Sequence, residues 1–91
     1  MTRKEILEKA SAITRGEREQ DYGSPESNFG RIAALWNAYL GLDNYVHPED
    51  VAAMMILVKT ARIASGNAKD DNWVDIAGYA ACGGEIESEG K

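Results

Sequence analysis

Apolar residues recur at three- and four-residue steps in four stretches of the chain, and each stretch opens or closes on a residue type that starts or stops a helix. Thr2-Arg3-Lys4-Glu5 has the spacing of a capping box and precedes Ile6, Ala10 and Ile13. This predicts a first helix over about residues 3 to 15, stopped at Gly16. The stretch GEREQDYG, from Gly16 to Gly23, is polar and has no clean period, so it reads as a loop with Tyr22 as its only large apolar group. Ser24-Pro25-Glu26 then supplies an N-cap, a proline whose missing N–H costs nothing at the first helical position, and an acid favoured by the helix dipole. Phe29, Ile32, Ala33, Trp36, Tyr39 and Leu40 give this second helix one broad apolar face until Gly41 ends it.

His47-Pro48-Glu49-Asp50 repeats the start signal ahead of VAAMMILVKTARIAS, which predicts a third helix over about residues 48 to 65. It is apolar almost all round, a pattern that puts a helix at the centre of its bundle. Gly66-Asn67 closes it, and Asp70 or Asp71 can cap a fourth helix carrying Trp73, Val74, Ile76, Ala77, Ala80 and Ala81. Gly83-Gly84 weakens that helix, and the acidic EIESEGK predicts a frayed tail over residues 83–91. No strand pattern and no internal repeat occur. The expected fold is all-α: a single compact four-helix domain over residues 1–91, with the third and fourth helices in an antiparallel hairpin because only a short connection joins them.

Ninety-one residues with 44% apolar content seed one core. A chain this short buries only about 60 to 65% of its unfolded surface, so apolar area left on a monomer favours a homo-oligomer. The lone Cys82, in an alanine-rich stretch, has no partner for an internal disulfide and reads as a small buried thiol in a reducing compartment. The longest apolar run, Val51 to Val58, falls well short of the roughly 20 residues of a membrane span, and MTRKEILEKA has no secretory apolar stretch. A soluble, cytoplasmic protein is therefore expected, with no membrane partner. The net charge of −5 repels a nucleic-acid backbone, so DNA and RNA are not expected partners. A local basic pocket for a small phosphorylated ligand remains compatible with that charge, because salt screens charges beyond roughly 8 to 10 Å.

Two cations on an apolar helix supply the candidate chemistry. Lys59 and Arg62 share a face, and counting outward from the hairpin turn sets Arg62 opposite Asp75 and Lys59 opposite Tyr79. Two readings stand. In one, Arg62 and Asp75 form an internal salt bridge while Lys59 snorkels to solvent. In the other, Lys59 and Arg62 clamp a phosphate and Asp75 orients the arginine. Aromatics complete the second reading, since Tyr22, Trp36, Trp73 and Tyr79 can stack on a base, although Trp36 and Tyr79 lie on apolar faces that suit the core. Tyr22 lies near Arg18 in the polar loop, and Asn28 projects from the first turn of the second helix, where its amide reads a base edge or bonds to backbone. Asp71 and Asp75 at i, i+4, and Glu49 and Asp50 at the third helix start, are the alternative carboxylate sets, but acids at helix starts need no metal to explain them. One histidine and no evident serine partner give no hydrolytic triad, and no cofactor, metal or catalytic residue is expected.

The strings REQDYGSPESNFGRIAALWNAYL, PEDVAAMMILVKTARIAS and DNWVDIAGYAA resemble a family of small helical phage and prophage proteins of unknown function, over about Glu5 to Ala81. The hairpin is also distantly similar to MazG-like all-helical nucleoside triphosphate pyrophosphohydrolases, which hold magnesium between a Glu-Glu-x-x-Glu helix and a Glu-x-x-Asp helix. Here Lys59 and Arg62 stand where that pattern has acids, and Asp71 and Asp75 are one residue further apart than its second pair. A viral nucleotide-type fold with cations in place of metal-binding acids implies a protein that holds a nucleotide without cutting it. The function expected from the resemblance is a phage sponge for a cyclic nucleotide signal of bacterial defence, an immune-evasion role, with ligand near Lys59, Arg62 and Tyr22. The alternatives are a magnesium-dependent pyrophosphohydrolase and a helical protein-interaction module.

Overall fold

The first three helix starts chosen by the sequence are built from capping contacts in the computed structural model, which describes residues 1–15, 23–66 and 69–89. The elements are α1 (Arg3–Ile13), α2 (Pro25–Leu40), α3 (Pro48–Ala64) and α4 (Asp70–Glu89), with no strand among the described residues. At α1 the Thr2 hydroxyl accepts the Glu5 N–H at 3.2 Å, and the Glu5 carboxylate accepts the Thr2 N–H at 3.0 Å. At α2 the Ser24 hydroxyl accepts the Ser27 N–H at 3.1 Å, and at α3 the Asp50 carboxylate accepts the His47 N–H at 2.9 Å. Gly41 (φ 68°) ends α2 in the left-handed conformation that an L side chain rarely adopts.

α3 and α4 form the expected hairpin, packed against each other more extensively than any other pair, and their inner faces meet α2 over Phe29, Ala33, Val51, Ala52 and Ile86. The central helix, however, is α4 and not α3. α4 touches all three other helices, whereas α1 lies along α4. Met54, Leu57 and Val58 of α3 are left exposed, because none of the packed helix pairs covers that side. α1 is tied down by charge as well as packing: the Met1 ammonium meets Asp70 at 3.1 Å and Lys9 meets Asp71 at 3.2 Å. Asp70 and Asp71, expected as caps, thus sit inside the first turn of α4 and face the Met1 ammonium and Lys9 of α1.

Nor does α4 weaken at its glycine pair. It runs unbroken to Glu89 and buries Ile86 in the core. The reason is close packing: a Cβ on Gly83 would stand 2.9 Å from the Cβ of the fully buried Ala52, so the absent side chain lets the two helices touch. Buried Asn37 does the corresponding work on the α2–α3 connection. Its amide donates to the Val46 carbonyl at 2.9 Å and accepts from the N–H groups of Val46 at 2.9 Å and Tyr45 at 3.2 Å. These bonds fold residues 41–47 back along α2 and carry Pro48 to within contact of Gly30.

Candidate functional site

The face of α4 that repeats at Asp75, Gly78, Tyr79 and Cys82 does not close completely against its neighbours. Between it, the C-terminal turn of α1 and the start of α2 lies a cleft of about 60 Å³. Ile13 and Thr14 form its α1 wall, and Gly23, Pro25, Asn28 and Phe29 its α2 wall. Gly78 is what brings α1 close, since a Cβ there would lie 3.4 Å from the Thr14 side chain. The Phe29 and Tyr79 rings pack at 6.1 Å between centroids, tilted by 36°, and make one aromatic side of the cleft.

One carboxylate reaches this largely apolar lining. Asp75 lines the cleft and is held from behind by Lys59, whose ammonium lies 3.0 Å from Oδ2. The lysine side chain is only 12% exposed and the aspartate 32%, so the pair is substantially shielded from solvent. Asn28 stands on the opposite wall, half-buried, and its side-chain amide has no hydrogen bond to another described residue. The cleft therefore presents an anionic acceptor, an amide with both functions and an aromatic side.

Several expected positions change. Lys59, not Arg62, pairs with Asp75; Arg62 is exposed and forms no clamp with Lys59. The expected pairing of Arg62 with Asp75 sat about one turn out of register. α3 ends at Ala64 and α4 begins at Asp70, so the connection is centred near residue 67 and sets residue 59 across from residue 75. Trp36 is half-buried against the core, away from the cleft lining, while Tyr79 belongs to both. Trp73 is exposed on the surface. Arg18 and Tyr22 lie outside the described residues. The Asp71 and Asp75 carboxylates do not form a pair for a cation, because each is taken by its own lysine, Lys9 and Lys59. Cys82 is half-buried at the cleft wall, more open than the buried thiol expected. Thr14, Gly78 and Cys82 were missed as lining residues, although the steps from 75 to 78, 79 and 82 mark one face of α4.

A second depression, between the start of α2 and the end of α4, is acidic. Glu26, Glu85 and Glu89 converge there with Ile86. The negative charge of Glu85 is the main reason that the Glu89 carboxyl is held above its ordinary value, with partial desolvation and Glu26 adding to it. His47, Glu49 and Asp50 also bring donor atoms within 4.8 Å of one another, at the exposed start of α3.

Comparison with known proteins places the chain among phage sequences. The profile of the domain of unknown function DUF6378 matches residues 5–87. A Gene 55 protein of Mycobacterium phage L5 is 51% identical over 75 residues, covering 82% of this chain and 47% of that protein. A Gene 55 protein of Mycobacterium phage D29 is 42% identical over 84 residues, covering 92% of this chain and 54% of that protein. The chain thus spans about half the length of these relatives. No solved structure matches it.

Proposed function

We propose that this chain, which belongs to the DUF6378 family, is a nucleotide-holding protein that takes a base edge into the α1–α2–α4 cleft and releases the molecule uncleaved. The observation that carries the reading is the shielded Asp75 carboxylate, braced by Lys59 at 3.0 Å and facing an apolar cleft beside the Phe29–Tyr79 pair. A carboxylate so placed accepts N–H groups. Among the common bases guanine offers two adjacent donors, its ring N–H and its exocyclic amine, so guanine nucleotides are the favoured class. A volume of about 60 Å³ is small beside the roughly 300 to 1,000 Å³ of a pocket that encloses a drug-sized ligand. The edge of one base enters, and sugar and phosphate stay outside. The phage setting of the relatives supports a role as a sponge for a cyclic nucleotide signal of bacterial defence.

This reading moves the ligand from the Lys59–Arg62 clamp to the cleft, with Lys59 positioning Asp75 and not touching phosphate. It calls for no metal. The test is a thermal-shift panel of cyclic dinucleotides, cyclic trinucleotides and nucleoside triphosphates with and without magnesium, followed by chromatography of each ligand. Stabilisation by guanine-containing ligands recovered intact, lost in Asn28→Ala, is the expected result. A triphosphate consumed only with magnesium replaces the sponge with a pyrophosphohydrolase, and a flat panel removes the nucleotide reading.

A further inference from the structure

α3 carries no charged residue between Asp50 and Lys59, and its outer side is a continuous apolar stripe. Met54, Leu57, Val58 and Ala61 fall at i, i+3, i+4 and i+7 on one side of the helix, all exposed, with Leu57 open to 67%. Water contact along such a stripe is unfavourable, and the α1, α2 and α4 packing leaves it uncovered. The ends of the stripe carry opposite charge. Asp50, four residues before Met54, stands in the first turn of α3, and exposed Arg62, four residues after Val58, in its last.

From this we infer that the outer face of α3 is the two-fold interface of a homodimer, with the two α3 helices packed antiparallel. A face that is acidic at one end, apolar in the middle and basic at the other complements itself in one orientation. Turned head to tail, each copy brings Asp50 within about one helical turn of the other's Arg62, and the helix dipoles oppose as well. The inference does not depend on the nucleotide reading, because the cleft is lined from α1, α2 and α4 and no α3 residue enters it.

Sedimentation of the full chain tests it directly. The protein is expected to run at twice its 9.9 kDa mass at micromolar concentration, with Leu57→Glu weakening association by at least about tenfold while circular dichroism stays unchanged. Crosslinking reads the geometry independently of that variant. In a Cys82→Ser background, oxidation of Leu57→Cys or Val58→Cys yields a covalent dimer and oxidation of Trp73→Cys does not. A monomer at 100-fold dilution from a dimeric stock is consistent only if Leu57→Glu shifts that midpoint. A monomer at all concentrations, or a dimer indifferent to Leu57→Glu and crosslinked through Trp73→Cys, overturns the inference.

Discussion

Lys59 and Arg62 sit three residues apart on α3 and have opposite fates, which makes them a controlled pair. Lys59→Ala strands Asp75 in a shielded site and is expected to cost about 2 kcal/mol of stability. Arg62→Ala, at an exposed position, is expected to change stability by less than about 0.5 kcal/mol. Urea denaturation of the two variants measures both, and equal effects contradict the pairing. Asn37 is the other residue on which much depends. Asn37→Ala leaves the Val46 N–H and carbonyl and the Tyr45 N–H without their partner, an expected loss of about 3 kcal/mol by the same measurement. Neither residue declares its role in one dimension. A lysine on an apolar helix announces that it needs a partner, but which acid it finds depends on where the hairpin turn is centred. Asn37 lies on the buried side of α2 with no motif to mark it, and its partners are backbone groups eight and nine residues away.

At the level of the helices, the first three starts and the stop of α2 were legible because they are written in local chemistry: the capping box at Thr2, the proline starts at Pro25 and Pro48, and the left-handed Gly41 are all as the pattern requires, whereas α1 ends at Ile13, short of the expected stop. The course of α4 was not. Propensity alone makes Gly83-Gly84 a weak point, and packing overrides it at one glycine but not at the other. Gly83→Ala drives a methyl against Ala52 and is expected to destabilise by about 1 to 2 kcal/mol, the overpacking exceeding the gain in helix propensity. Gly84 meets nothing within 4 Å, so Gly84→Ala is expected to stabilise by about 0.5 to 1 kcal/mol. Thermal melts of the two variants, moving in opposite directions, check this. The end of α4 also carries a pH signature. Glu85 and Glu26 raise the Glu89 carboxyl above its unfolded value, so the folded state holds that proton more tightly. That contribution favours folding at acidic pH and is lost as pH rises through the raised value. Glu89→Gln is expected to raise the melting temperature slightly at pH 7 and to flatten its rise on acidification toward pH 5. The Glu5 carboxyl, lowered chiefly by the backbone hydrogen bond from Thr2, acts in the opposite sense: its contribution is present above the ordinary carboxylate value and is lost as pH falls.

For the whole molecule, the all-α class and the hairpin followed from periodicity and connection length, whereas the arrangement of faces did not. An all-round apolar α3 reads as a central helix, yet α4 takes the centre and α3 keeps an open side. The same departure relocates the candidate site. The cleft belongs to the faces of α1, α2 and α4, whose meeting depends on Gly78 and on how α1 is tied to Asp70 and Asp71. Two surfaces of different character result, a small cleft with one braced carboxylate and a broad apolar face, and each has its own proposed occupant. The measurement that tests the central claim most directly is a titration of isotope-labelled protein with a guanine-containing cyclic dinucleotide, followed residue by residue by NMR. The account predicts shifts concentrated at Thr14, Asn28, Asp75, Gly78, Tyr79 and Cys82, with the dinucleotide recovered intact. Unmoved resonances at those six positions, with or without shifts elsewhere, contradict it.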